Sequence, residues 1–249
     1  GHYLGYSLSY GYYGYCLAIA MLADLSVRLD LNYQLPITNY PMKFYTIREI
    51  DCPDFQAAIE IYQAAFPPSE LIPIDVFARR VDRGTYQLWV CQQDNRIAFM
   101  AILCEPIADR FVLLGYIATH PDYRSQGIGS DFFSEILPKL QQHSQSLLLE
   151  VENPNDGDDL PLRQRRVNFY RRLGARELQN VRYILPALSG GEPTEMILMV
   201  APAEEGDRIL GEEVRRLIIE LYVRFYDRSP DDPLLQLSLE GIGEWVELV

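Results

Sequence analysis

Residues 111–140 combine an apolar run, a turn with two glycines and an amphipathic stretch, in that order. The run Phe111-Val-Leu-Leu-Gly-Tyr-Ile-Ala-Thr119 is rich in β-formers and predicts a largely buried strand. After the turn Arg124-Ser125-Gln126-Gly127-Ile128-Gly129, the residues Phe133, Ile136, Leu137 and Leu140 recur at helical spacing. A strand end is therefore joined to a helix start through glycines. The first helical turn leaves backbone N–H groups unpaired there, and the helix dipole adds partial positive charge. Gly127 and Gly129 allow a ligand to approach the backbone closely. Two readings stand: a tight turn closing a βα unit, or a cradle for phosphate or pyrophosphate. It lacks the G-x-G-x-x-G dinucleotide pattern and the Gly-Lys-Ser/Thr of a Walker loop.

The rest of the chain narrows the choice of partner. Among 249 residues, 35 acids against 22 Lys+Arg give a net charge of −13. That field argues against nucleic acid or an anionic membrane and suits a basic acceptor such as an amine. The cysteines Cys16, Cys52, Cys91 and Cys104 show no metal spacing, and His2, His120 and His143 form no local ligand set, so no metal is expected. A reduced, cytoplasmic setting is the simplest expectation.

Composition divides the chain into three expected parts: an extension at 1–41, a main domain at 42–201 and an acidic helical extension at 202–249. Gly1-His2 reads as a tag scar, and a tyrosine- and glycine-biased arm follows. Its nine-residue apolar run, Tyr15 to Ala23, is too short to span a bilayer. Ala18 to Leu31 allows a short amphipathic helix, read either as a variable extension packed on the domain or as a membrane or partner contact. The main domain reads β-α-α-β-β-β-α-β-α-β-β, a mixed α/β sheet. Its strand-like stretches are 44–50, 86–91, 97–104, 111–119, 146–152, 183–186 and 195–200, with a polar acidic loop at 153–162 and a helix at 164–173. In the last part, apolar residues from Ile209 to Phe225 recur every 3.6 residues, predicting a single amphipathic helix. From Ala201 onward there are 12 acids and 5 arginines, so this fifth of the chain carries over half of the net charge. The helix either packs on the sheet's edge or serves as a homodimer contact or a lid.

A thioester-dependent transfer needs a pyrophosphate cradle, an open strand edge for an amide-bearing arm and groups that handle protons. The turn answers the first need. Ile117, Ala118 and Thr119, at the strand end, answer the second through strand-like hydrogen bonds, and an N–H there can steady the thioester oxygen. An amine acceptor is mostly protonated at pH 7, with a pKa near ~10.4. A base must therefore remove a proton, and an acid can return one to the leaving thiolate. Glu150, on the neighbouring strand, and Tyr170, on the next helix, are the candidates; as bland alternatives, Glu150 is a solvated strand residue and Tyr170 a core aromatic.

The stretch Tyr116-Ile-Ala-Thr-His-Pro-Asp-Tyr-Arg-Ser-Gln-Gly-Ile-Gly129 resembles motif A of the GNAT N-acetyltransferase superfamily. Leu149-Glu150-Val151 with Asn155, followed by Phe169-Tyr170-Arg-Arg-Leu-Gly174, resembles its motif B. Within the superfamily the similarity is greatest to the alanine N-acetyltransferases of bacterial ribosomal proteins. The resemblance covers about 42–200 and implies a mixed, mostly antiparallel sheet flanked by helices and splayed at its central strands. It also implies acetyl-coenzyme A as donor, held by Arg124, Ser125, Gln126, Gly127, Ile128, Gly129 and Ser130, with Asn155 alongside, and a small-molecule or peptide amine as acceptor. Glu150 would act as base and Tyr170 as acid. Glu70, Glu152 and Tyr183 would reach the substrate, with Glu152 the fallback base. Three departures accompany it. Fourteen residues separate Asn155 from Tyr170, longer than the family's usual spacing, which puts Asn155 in question. Leu113 stands where the histone-acetylating branch has its base, and Gly174-Ala175 replaces Gly-Phe. The reading in another class is a coenzyme A-binding interaction protein without turnover, working through its acidic C-terminal helix. The acidic run from Glu152 to Asp159 hints at a cationic acceptor.

Overall fold

Strand β1 (Phe44–Ile47) is shorter than its alternating pattern suggests. The chain leaves the sheet early because Cys52 caps the next helix, its Sγ accepting from the Phe55 N–H at 3.4 Å. Two helices follow, α1 (Pro53–Ala65) and α2 (Ile74–Asp82), then β2 (Tyr86–Gln93), β3 (Arg96–Cys104) and β4 (Phe111–Thr119). Beyond β4 come α3 (Ile128–Gln142), β5 (Ser146–Glu152), α4 (Leu160–Arg172), β6 (Arg176–Glu177), β7 (Tyr183–Leu185) and β8 (Thr194–Ala201). The last part holds β9 (Arg208–Leu210), α5 (Gly211–Glu220), a π-helical turn at Leu221–Phe225, α6 (Pro233–Leu239) and β10 (Trp245–Glu247). This computed structural model describes residues 42–155, 159–187, 191–202 and 206–249. The expectations for the tyrosine-rich arm, and Asp156 and Asp158 of the acidic loop, lie outside the described residues.

The main sheet has the order β1-β2-β3-β4-β5-β8-β6, with β7 also on β8. Every pairing is antiparallel except β4 with β5. Those two parallel strands meet only at Phe111↔Ser146, Val112↔Leu147 and Leu113↔Leu148, then separate. The splayed, mostly antiparallel sheet flanked by helices is as expected. A bulge in β4 accompanies the splay: Ile102 faces Tyr116 while Leu103 faces Leu114, leaving Gly115 as the extra residue. A Cβ at Gly115 would sit 3.3 Å from both Cys104 Sγ and Ile102 Cγ2. The bulge also shifts the alternation of β4, so Leu113, Tyr116 and Ala118 share one core face.

Two apolar cores fill the two faces of the sheet. One joins α1, α2 and the C-terminal segment to Leu148 and Leu198; the other joins α3 and α4 to Leu147, Leu149 and Val151. The C-terminal stretch differs from the single helix its periodicity predicts. It begins as a strand paired with β10, continues as α5, and widens into the π turn. Val214, Leu217, Ile218, Leu221 and Tyr222 are fully buried against the sheet. The chain end is tied down as well, with Glu177 and Val249 exchanging backbone hydrogen bonds at 2.8 and 3.0 Å.

Candidate active site

The turn that follows β4 has the local geometry its glycines require. After a 3-10 turn at Pro121–Tyr123, Ser125 takes φ 61° and Gly127 φ 82° before α3 starts at Ile128. Left-handed backbone is costly for most residues, which accounts for Gly127. Gly129 has a helical backbone, and a Cβ built there meets nothing within 4 Å. Protein packing therefore does not demand glycine at 129; a ligand lying on the turn would. The first α3 hydrogen bond runs from the Asp131 N–H to Gly127, so the N–H groups of Ile128, Gly129 and Ser130 precede the ladder. Arg124 folds back, its Nε donating to the Thr119 carbonyl at 3.4 Å. Gln126 accepts from Gln93 at 3.1 Å.

Upstream of the turn, Ile117, Ala118 and Thr119 pair with Ala101, Met100 and Phe99 on one side. Their other edge faces the gap left by β5. Asn155 is exposed in the loop after β5, its N–H bound to Asn153 Oδ1 at 3.0 Å.

Alternation along β5 sends Glu150 and Glu152 to the face of Leu148, toward α1, α2 and the C-terminal segment. Glu150 is 1% exposed. Tyr183 of β7 donates its hydroxyl to Glu150 Oε1, and the Tyr226 hydroxyl lies 2.7 Å from Oε1 and 2.6 Å from Oε2. Tyr170, on α4, faces the opposite core, edge-on to Phe133 with ring centroids 6.1 Å apart. Glu150 and Tyr170 thus flank the splayed strands from opposite faces.

Glu152 is buried and bound to two buried arginines of α4, Arg166 through a short contact at Oε2 and Arg163 at 3.4 Å from Oε1. That pairing neutralises Glu152, the first acid of the run from Glu152 to Asp159 that hinted at a cationic acceptor. It also ties up the fallback base.

Glu70, in the turn after α1, has no exposed surface, and neither carboxyl oxygen has a hydrogen-bond partner among the described residues. Burial, reinforced by the charge of Glu152 and only partly offset by Arg166, pushes its carboxyl up to about 9. At neutral pH it is an uncharged acid. Its backbone is held in place, the carbonyl accepting from the Tyr116 hydroxyl at 2.9 Å. Burial also keeps Tyr116 protonated.

Of the polar residues gathered on this face, Glu150, Glu152, Glu70 and Tyr183 are candidates from the sequence, whereas Arg163, Arg166, Tyr116 and Tyr226 are not. A local helical signal existed for Arg163 and for Tyr226, though not for what they reach. Arg163, Val167 and Tyr170 share a helical face at i, i+4 and i+7, and Tyr222 and Tyr226 are an i, i+4 pair. Among the described residues, no group of three or more His, Cys, Asp or Glu side chains could hold a metal ion.

Residues 84–174 match the family model described as an acetyltransferase (GNAT) domain. YjbC of Bacillus subtilis, a protein named as an acetyltransferase, is 30% identical over 142 residues, spanning 57% of this chain and 68% of that one. The chain belongs to the GNAT acetyltransferase family. Its fold is that of solved GNAT proteins. A GNAT-family structure from Bacteroides thetaiotaomicron aligns with TM-score 0.63 at 22% identity, over 75% of this chain and 99% of that one. An aminoglycoside 6'-N-acetyltransferase solved with coenzyme A aligns with TM-score 0.50 at 14% identity, over 66% and 99%. The Escherichia coli ribosomal-protein-S18-alanine N-acetyltransferase is also among the structural neighbours, 24% identical over 66% and 96%, with TM-score 0.49. Within this GNAT chain, the matched region takes in the turn, Glu150 and Tyr170 but stops before Tyr183 and the C-terminal segment.

Proposed function

We propose that the protein transfers the acetyl group of acetyl-coenzyme A directly to a primary amine on a small molecule or peptide. The observation that carries this reading is the spare room over Gly129 beside the left-handed Gly127, at the mouth of the β4–β5 splay. Arg124, Ser125, Gln126, Gly127, Ile128, Gly129 and Ser130 would hold the pyrophosphate, and the open edge at Ile117, Ala118 and Thr119 would hold the pantetheine arm. Asn155, exposed in the loop after β5, remains a candidate coenzyme contact.

Glu150 takes a proton from the acceptor ammonium. The nitrogen then bonds to the acetyl carbon as the carbon–sulfur bond breaks and sheds its second proton to solvent, and Tyr170 gives its proton to the departing sulfur. Glu150 returns the equivalent of that proton through solvent, leaving N-acetylamine, free coenzyme A and one released proton. Cys91 and Cys104 lie in the two cores, so the direct route needs no acetyl-cysteine. Glu70, Glu152 and Tyr183 line the face from which the amine would come, Glu152 in its arginine-bound form. Among the described residues no helix is long and apolar enough to cross a membrane. A cytoplasmic site of action fits this reading.

The test is thiol release from acetyl-coenzyme A with spermidine, lysine, kanamycin and a peptide with a free N-terminus. Glu150→Gln should lower turnover about 100-fold or more and Tyr170→Phe about tenfold or more, with coenzyme binding retained. Full turnover in both variants contradicts these roles. Coenzyme binding without turnover on any amine favours the interaction-protein reading.

A further inference from the structure

The C-terminal segment lies outside the region matched by the acetyltransferase model, yet it reaches the buried carboxylate at the splay. We infer that Tyr226 is a positioning residue that sets the protonation of Glu150, making the C-terminal segment part of the catalytic site. This rests on the reading of Glu150 as the base.

Three observations support it. First, Tyr226 lies within 2.7 Å of both carboxylate oxygens, and Tyr183 supplies a second hydroxyl to Oε1. Second, one segment holds both donors in place. Tyr222 donates to the Ile184 carbonyl, Ser238 accepts from the Ile184 N–H at 3.1 Å, and Arg228 donates to the Ala187 carbonyl at 2.9 Å. The same segment grips the loop before β4, with Glu220 accepting from the Ala108 N–H at 3.0 Å and Arg224 paired with Glu105 at 2.6 Å. Third, the backbone departs from a regular helix just before Tyr226, whose N–H bonds to the Leu221 carbonyl five residues back. Such π turns are uncommon and favour functional sites. Here the turn brings Phe225 and Tyr226 to the wall of a small cavity beside Leu113, Gly115 and Cys104, beneath the splay.

Hydroxyl donors favour a carboxylate over its protonated form. Among the described residues, the groups close to Glu150 include Tyr183 of β7, Tyr222 and Tyr226 of the C-terminal segment, and the Cys104 thiol of β3, which burial keeps protonated. Glu152 and Glu70 lie on the same face, the first neutralised by its arginines and the second uncharged. Losing the Tyr226 hydroxyl should therefore make Glu150 easier to protonate.

The experiment is a carbon-13 NMR pH titration of the glutamate carboxyls, with Glu150 assigned from Glu150→Gln. In Tyr226→Phe the Glu150 midpoint should rise by roughly one pH unit. In Tyr222→Phe, whose lost hydroxyl is bound to the Ile184 carbonyl and not to Glu150, the midpoint should move far less than in Tyr226→Phe. With the most active amine of the panel, Tyr226→Phe should also move the acid limb of kcat/KM upward and leave the KM for acetyl-coenzyme A unchanged. An unchanged midpoint in Tyr226→Phe, or equal shifts in both variants, overturns the inference. An active Glu150→Gln enzyme instead overturns the base assignment, whatever Tyr226 does.

Discussion

In the proposed reading the splay has a donor side and an acceptor side. On the donor side, one unbroken stretch from Ile117 to Ser130 carries strand end, turn and helix start. On the acceptor side, the polar groups converge from remote segments: Glu70 after α1, Glu150 and Glu152 on β5, Arg163 and Arg166 on α4, Tyr183 on β7 and Tyr226 near the chain's end. The donor turn is built from backbone and is slack, with room over Gly129. The acceptor face is built from buried side chains, and the protein bears their desolvation. A site for a large, invariant coenzyme can rely on local backbone shape, whereas proton handling needs charged groups taken out of water and held there.

The difference predicts opposite responses to substitution. The largest effect on stability should come from Arg166→Met, which leaves the buried Glu152 with the 3.4 Å contact to Arg163 as its main support. Breaking a buried pair costs on the order of 3 kcal/mol. The melting temperature should fall by roughly 6–12 °C. A fall of less than about 2 °C would mean that the acceptor face is not under this load.

Glu70→Gln should act in the other direction and should depend on pH. Folding raises the Glu70 carboxyl from 4.5 to about 9, so between those values the folded chain keeps a proton that the unfolded chain releases. Wild-type stability is therefore eroded as pH rises through that window, and a neutral glutamine removes the erosion. The stability of Glu70→Gln relative to wild type should grow by on the order of 2 kcal/mol from about pH 6 to about pH 7.5 in thermal melts. A pH-independent difference would show that Glu70 is not held uncharged. The smallest effect belongs to the donor side. Gly129→Val should stay within about 0.5 kcal/mol of wild type, since a Cβ at this position meets nothing within 4 Å.

This contrast also explains how much of the molecule the sequence discloses. The donor turn is legible because its signal is contiguous: an apolar run, two glycines and a helical repeat within 30 residues. The mixed sheet follows from the same elements and their order, whereas its splay is implied by the resemblance to the GNAT superfamily. On the acceptor side, Glu150 is legible through its place on a strand, but the donors that hold it lie 33 and 76 positions away. No periodicity links such residues, and only the folded chain shows that Tyr226 reaches Glu150. The first turn of α4 escapes for a local reason. Reading Pro161 as a loop residue delays the helix to Gln164, whereas proline is well accommodated in a first helical turn. That delay removes Arg163 from the helix and hides the buried arginine face. The C-terminal segment reads as one helix because its apolar spacing stays near 3.6, and a π turn barely disturbs that spacing.

The account rests on the donor turn binding acetyl-coenzyme A, and calorimetric titration of the wild type beside Gly129→Val tests this most directly. The prediction is micromolar binding by the wild type, weakened at least tenfold in a Gly129→Val protein that melts at the wild-type temperature. A folded wild type that binds no acetyl-coenzyme A, or equal affinity in the two proteins, would contradict it.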